Sequence, residues 1–161
     1  MSGSASCSAG AVMKRLWGIE AEAGDAQAMT SLSHWHLEGK YVKKDLVSSF
    51  QWAKRAADLD HPRGMTMLGE RYLHARGTAR NLHTGLVKLA QAAMLGSEHA
   101  CWKLAWAYRT GAFGLEQDDT QMTYWQEKMQ SLAGNGKCDA IEENRKRVAS
   151  WRPGGLLALT P

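Results

Sequence analysis

The sequence predicts an all-α chain made of three tandem helix pairs. Three observations carry this. First, a pattern recurs every 36 residues: Leu32, Leu68 and Leu104 keep that spacing, and so do His36, Tyr72 and Tyr108. Self-similarity at such a period marks a stacked array of small units. Second, apolar residues four apart fall on one helical face within each copy, as in Ala28, Leu32 and His36. Third, Val and Ile are scarce, while Ala, Leu, Met, Lys, Glu and Gln run through the chain. That balance favours helix over sheet. The 161 residues are 44% hydrophobic and 22% charged, a globular mixture long enough for three to four short repeats.

The elements follow in order. Residues 1–11 are rich in Ser, Gly and Ala and are expected to form a flexible arm, with Met13 as a possible alternative start. Residues 12–23 carry Trp17 and Ala21 ahead of Gly24 and read as half a unit. The first full repeat, 24–59, has Ala28, Leu32 and His36 on its first helix, then Asp45 as an N-cap, then Phe50, Trp52, Ala53, Ala56 and Ala57 on its second. The second, 60–95, has Leu68 and Tyr72, Asn81 as the cap, and Leu86, Leu89, Ala90, Ala92 and Ala93. The third, 96–134, has Ala100, Leu104 and Tyr108, the cap Asp118, and Trp125. Trp52 and Trp125 are 73 apart, one more than two repeats, so the extra residue belongs in the Gly111–Asp118 loop.

Small residues follow each repeat leucine, namely Ser33, Gly69 and Ala105, and would let a neighbouring helix approach closely. Gly24 and Gly96 stand where a helix end needs positive φ, with Asp60 in their place once. Residues 139–151 read as a final helix anchored by Ile141 and Val148, with a polar run from Glu142 to Arg147 that would close the stack. Residues 152–161 form a tail.

Several function classes lack support. No GxSxG, HExxH or phosphate-binding loop is present, so no catalytic residue can be named. His34 and His36 are two apart, as are His99 and Cys101, and point to different helical faces, which gives no metal site. No cofactor is implied. Cys7, Cys101 and Cys138 are an odd number with no CxxC, which argues for a reducing compartment, although pairing of Cys101 with Cys138 stays open. No apolar run reaches membrane-spanning length and the start lacks a secretory pattern, so a cytoplasmic location and no membrane partner are expected. The net charge of +4 permits an acidic partner but makes only a weak argument for nucleic acid.

The repeat resembles the Sel1-like family, a relative of the tetratricopeptide repeats. The motifs that carry the resemblance are Leu68-Gly69-Glu70-Arg71-Tyr72, Leu104-Ala105-Trp106-Ala107-Tyr108-Arg109-Thr110-Gly111 and Trp52-Ala53-Lys54-Arg55-Ala56-Ala57, within roughly 23–134. The family pattern runs Leu-Gly-x-x-Tyr-x-x-Gly-x-Gly-Val and later Trp-x-x-x-Ala-Ala. His36 in place of Tyr, Lys88 in place of Trp, and Met129-Gln130 in place of the Ala pair depart from it. The resemblance implies a right-handed α/α solenoid with partial helices capping its ends, and a bacterial protein acting as adaptor or scaffold.

By the same resemblance, helix positions beside the core stripe line a groove. In the three repeats these are Gln27, Thr30, His34 and Glu38, then Arg63, Thr66, Glu70, Leu73 and His74, then His99, Trp102, Trp106 and Arg109. The residues expected to touch a partner are Trp102, Trp106, Arg109, Glu70, His74, His34 and His99. Trp102 and Trp106 lie four apart and off the core stripe, and either groove or core would suit them. Arg109 beside them could hold a carboxylate, since Arg and aromatic residues anchor interfaces. The expected partner is another protein or a peptide. An immunity or inhibitor protein that covers a partner enzyme is the alternative, and a small-molecule-binding or hydrolytic protein of the cysteine-rich type ranks below both.

Overall fold

The structure, a computed structural model, describes residues 9–134. Among these residues there are seven α-helices and no strand. They are α1 (Ala9–Glu22), α2 (Ala26–Glu38), α3 (Leu46–Asp58), α4 (Pro62–Leu73), α5 (Leu82–Met94), α6 (Glu98–Thr110) and α7 (Asp119–Ala133). Each helix packs chiefly on its neighbours in sequence, so the stack is a solenoid whose core lies between successive helices. Helices α2, α4 and α6 are the first members of the pairs, and α3, α5 and α7 the second. Helix α1 packs on α2 as the second member of an incomplete pair. It starts at Ala9, three residues ahead of the expected Val12. The expected final helix, the tail and Cys138 lie outside the described residues.

The 36-residue period reaches down to single backbone angles. Positive φ occurs at Gly24, Asp60 and Gly96, which close the second helix of each pair. It recurs at Gly39, Ala75 and Gly111, and again at Tyr41, Gly77 and Phe113, in the turn between the two helices of each pair. Gly114 adds a third such residue to the third turn, which is where the extra residue is accommodated. At Gly77 the absence of a side chain is required, because a Cβ would run into the Leu46 carbonyl oxygen and the Phe50 side chain. Asp60, Ala75, Tyr41 and Phe113 hold the same geometry at a cost of about 1–2 kcal/mol each.

The caps repeat as well. Asp45, Asn81 and Asp118 each accept a backbone N–H of the following helix, Thr84 N at 2.9 Å in the second repeat, for example. Their own N–H groups donate back to His36 O, Tyr72 O and Tyr108 O at 2.9, 3.0 and 3.1 Å. Each pair is thereby tied at its turn. Asp25, His61 and Ser97 cap α2, α4 and α6 in the same way. A side-chain acceptor at such a position is worth about 1 kcal/mol.

The core stripe is as expected: Ala28, Leu32, Leu68, Ala100 and Leu104 are buried, with Tyr72 and Tyr108 half-buried beside them. Ala53, Ala56, Ala57, Leu89, Ala92, Ala93 and Trp125 supply the facing helices. Trp52 is half-buried, its ring covered by the Arg55 guanidinium at 4.5 Å. Trp17 stacks on Trp35 at 5.4 Å. The close approach expected at the small residues is present. A Cβ on Gly69 would sit 2.9 Å from Gly85 O, and Ser33 bonds directly to Ser49. Leu73 departs from the expectation. It is buried against Gly85 rather than placed on the groove, because the missing side chain there opens a socket in α5.

Candidate functional site

Helices α2, α4 and α6 share one face, and a groove of about 530 Å³ opens across it. His34 and Leu37 line it from α2, and Arg63, Thr66, Met67, Glu70 and Arg71 from α4. Ser97, Glu98 and His99 line it from the start of α6. The structure thus brings together three of the sequence-expected site residues, His34, Glu70 and His99.

Glu70 is the fixed point of this groove. Its Oε1 accepts from Lys103 Nζ at 3.0 Å and lies 3.2 Å from His99 Nε2. Burial alone would raise its pKa. The His99 hydrogen bond and the Lys103 charge outweigh that and bring it down to about 2. Glu70 is therefore an anion throughout the physiological range. His34 pairs in the same manner with Glu38 one turn on, at 3.2 Å.

Arg71 lies in the groove wall with only 1% of its surface exposed. Its Nε donates to Ser49 Oγ at 3.2 Å and its Nη2 to Ser33 Oγ at 3.5 Å. Nη1 is buried and has no hydrogen-bond partner among the described residues. Burial pushes the pKa of Arg71 down and the Glu70 charge pushes it up. The guanidinium is thus held by neutral hydroxyls, a rare setting for a buried charge.

The aromatic residues gather next to the groove rather than in it. Trp102 stacks on His99 at 6.0 Å and packs against the main core. Trp106 lies 5.9 Å from Phe113, and Phe113 lies 5.6 Å from His74. Both tryptophans are half-buried. Burial, then Arg76 and Lys103, keep His74 below the usual histidine range. Arg109 is half-buried in the last turn of α6. Thr30, also expected on the groove, is fully buried and spends its hydroxyl on Gln27 O at 2.9 Å.

Sequence reasoning missed Arg71, Lys103 and Phe113. Arg71 and Lys103 carry no signal, since a charged residue beside a helical core stripe reads as solvated. Phe113 does carry one. It stands at the second glycine of the Gly-x-Gly pattern, in a left-handed conformation that a bulky residue adopts only under strain. Strained residues of this kind concentrate at functional sites.

Among the described residues no group of three His, Cys, Asp or Glu could hold a metal ion, and no helix is long and apolar enough to cross a membrane.

Three consecutive stretches, 26–61, 62–97 and 98–122, match the Sel1 repeat and together cover more than half of the chain. The chain belongs to the Sel1 repeat family. Among solved structures it is similar to a Sel1 repeat protein from Oxalobacter formigenes, with a TM-score of 0.64 and 21% identity over 80% of this chain and 59% of that one. It is also similar to c5321, a protective antigen of uropathogenic Escherichia coli strains with an SLR fold, with a TM-score of 0.66 and 24% identity over 73% of this chain and 25% of that one. At these identities the likeness establishes the fold. A 61-residue stretch is 41% identical to the chitin synthase regulator SKT5 of Saccharomyces cerevisiae, spanning 37% of this chain and 9% of that protein. The chain therefore covers only a part of the length of each of these relatives. Sel1 repeat proteins generally mediate protein–protein interaction.

Proposed function

We propose that this Sel1 repeat chain is a protein-interaction module, an adaptor or scaffold, whose groove on α2, α4 and α6 takes an extended segment of a partner protein. One observation carries the reading. The groove spans all three repeats, and its central carboxylate is held in place by residues from the next helix, Glu70 of α4 by His99 and Lys103 of α6. A polar anchor fixed before binding loses little entropy when a partner arrives. The aromatic group of Trp102, Trp106 and Phe113 lies next to it and supplies the amphipathic surface that binding hot spots use. An extended segment lying from His34 past Glu70 and His99 toward Trp106 would meet polar side chains first and aromatic ones last. Arg109, in the last turn of α6, would meet the partner's carboxylates at that end.

The test begins with capture of binding proteins on the tagged chain from a lysate of its source. Each captured protein is then tested pure against the chain by hydrogen exchange. Protection confined to α2, α4 and α6, together with weaker binding by Trp106→Ala and Glu70→Lys, is the expected result. Protection on α3, α5 and α7 with the groove unchanged would overturn the reading.

A further inference from the structure

We propose that two copies of this chain associate through α1, packed antiparallel about a twofold axis. Helix α1 is apolar on two opposite sides. One side faces the stack, where Ala21 is fully buried and Trp17 lies on Trp35. The other carries Val12, Leu16 and Ile19, spaced four and three residues apart on a single stripe. These three side chains are 45%, 49% and 62% exposed. Ala23, exposed just beyond the helix, continues the stripe by four more residues. A 4-3-4 spacing reads the same from either end. In an antiparallel pair Leu16 of one copy meets Ile19 of the other, and Val12 meets Ala23. This is the seam of a two-stranded coiled coil and a self-complementary patch.

The charges beside the stripe select a second copy as the occupant. Arg15 and Glu22 border the same edge of the stripe, seven residues and so two turns apart. Antiparallel pairing brings like edges together. Arg15 of each copy then faces Glu22 of the other, giving two symmetric ion pairs. A parallel pair would set Arg15 against Glu20 of the other copy and leave Glu22 opposite no cation of the seam. The Glu22 carboxylate is already oriented at that edge by two hydrogen bonds from Arg55, both 3.1 Å. The association is independent of the groove, which lies on α2, α4 and α6.

Sedimentation velocity of the full chain over a range of concentrations tests the proposal. The expected result is a reversible shift in mass from 17.8 kDa toward twice that value. Leu16→Asp should remain monomeric throughout, with an unchanged circular dichroism spectrum because the side chain is exposed. Arg15→Glu and Glu22→Arg should each weaken the dimer about tenfold, since each places like charges at both contacts. An equimolar mixture of these two variants should recover it, because both contacts become opposite in sign. A monomer at every concentration would overturn the proposal. So would a dimer indifferent to Leu16→Asp, or a mixture no tighter than its components.

Discussion

Ser33 and Ser49 exchange hydrogen bonds across α2 and α3, each hydroxyl donating to the other's backbone carbonyl. Ser33 Oγ gives to Ser49 O at 2.7 Å, and Ser49 Oγ gives to Ser33 O at 2.6 Å. In the next repeat the same two positions are Gly69 and Gly85, which also meet. Where the second repeat brings bare backbones together, the first inserts two hydroxyls. Those hydroxyls are what Arg71 holds. The consequence is an asymmetry between partners. Ser49→Ala leaves the Arg71 Nε buried without an acceptor, which should cost about 2 kcal/mol. Arg71→Met leaves each hydroxyl still donating to its carbonyl and removes a buried charge that has no carboxylate bonded to it, so it should cost less. Urea denaturation of the two variants checks the order. A larger loss for Arg71→Met would mean that the guanidinium itself holds the helices together.

Glu70 makes stability depend on acid. Its folded pKa of about 2 lies below the ordinary value of 4.5, so the stabilisation is complete above pH 4.5 and fades as the pH falls toward 2. At neutral pH this is on the order of 2 kcal/mol, moderated by the exposure of His99. Glu70→Gln should therefore be less stable than the parent at pH 7 and match it near pH 2. Denaturant midpoints of both proteins across that interval measure the difference. A gap that stays constant with pH would place the effect in packing rather than charge.

The repeats and their caps are legible in the sequence because each rests on local chemistry. Asp45, Asn81 and Asp118 cap helices through bonds two or three residues away, and Gly24 and Gly96 take positive φ on their own account. The site is less legible because it depends on which helix comes opposite. Glu70 becomes an anchor only through two side chains of α6 about one repeat later. Leu73 reads as a groove residue by its place in the repeat, yet it is buried because Gly85 offers no side chain. Arg71 reads as a surface charge for the same reason: nothing within its own helix reveals two serines on α2 and α3.

Cys101 should be inert in the native protein. It is fully buried, and burial pushes its thiol up to about 11, so almost no thiolate exists at neutral pH. In a Cys7→Ser/Cys138→Ser variant, where it is the remaining thiol, an aromatic disulfide reagent should react with it only at the rate of unfolding. Fast, stoichiometric labelling under native conditions would show that α6 opens away from α5 and α7 on its own.

Trp102 and Trp106 differ in what they support, although both are half-buried. Trp102 packs against the main core and stacks on His99, whereas Trp106 is joined to Phe113 in the strained third turn. Trp102→Ala should therefore cost about 2 kcal/mol of stability, below the loss for a fully buried tryptophan. Trp106→Ala should cost about half of that, because it removes a ring contact with a turn residue rather than packing against the main core. If both form the aromatic end of the binding groove, both should weaken a partner by similar factors despite unequal stability. Melting temperatures and partner affinities of the two variants separate the contributions. Equal stability losses with affinity lost only in Trp102→Ala would confine the contact surface to the Glu70–His99 region and remove Phe113 from it.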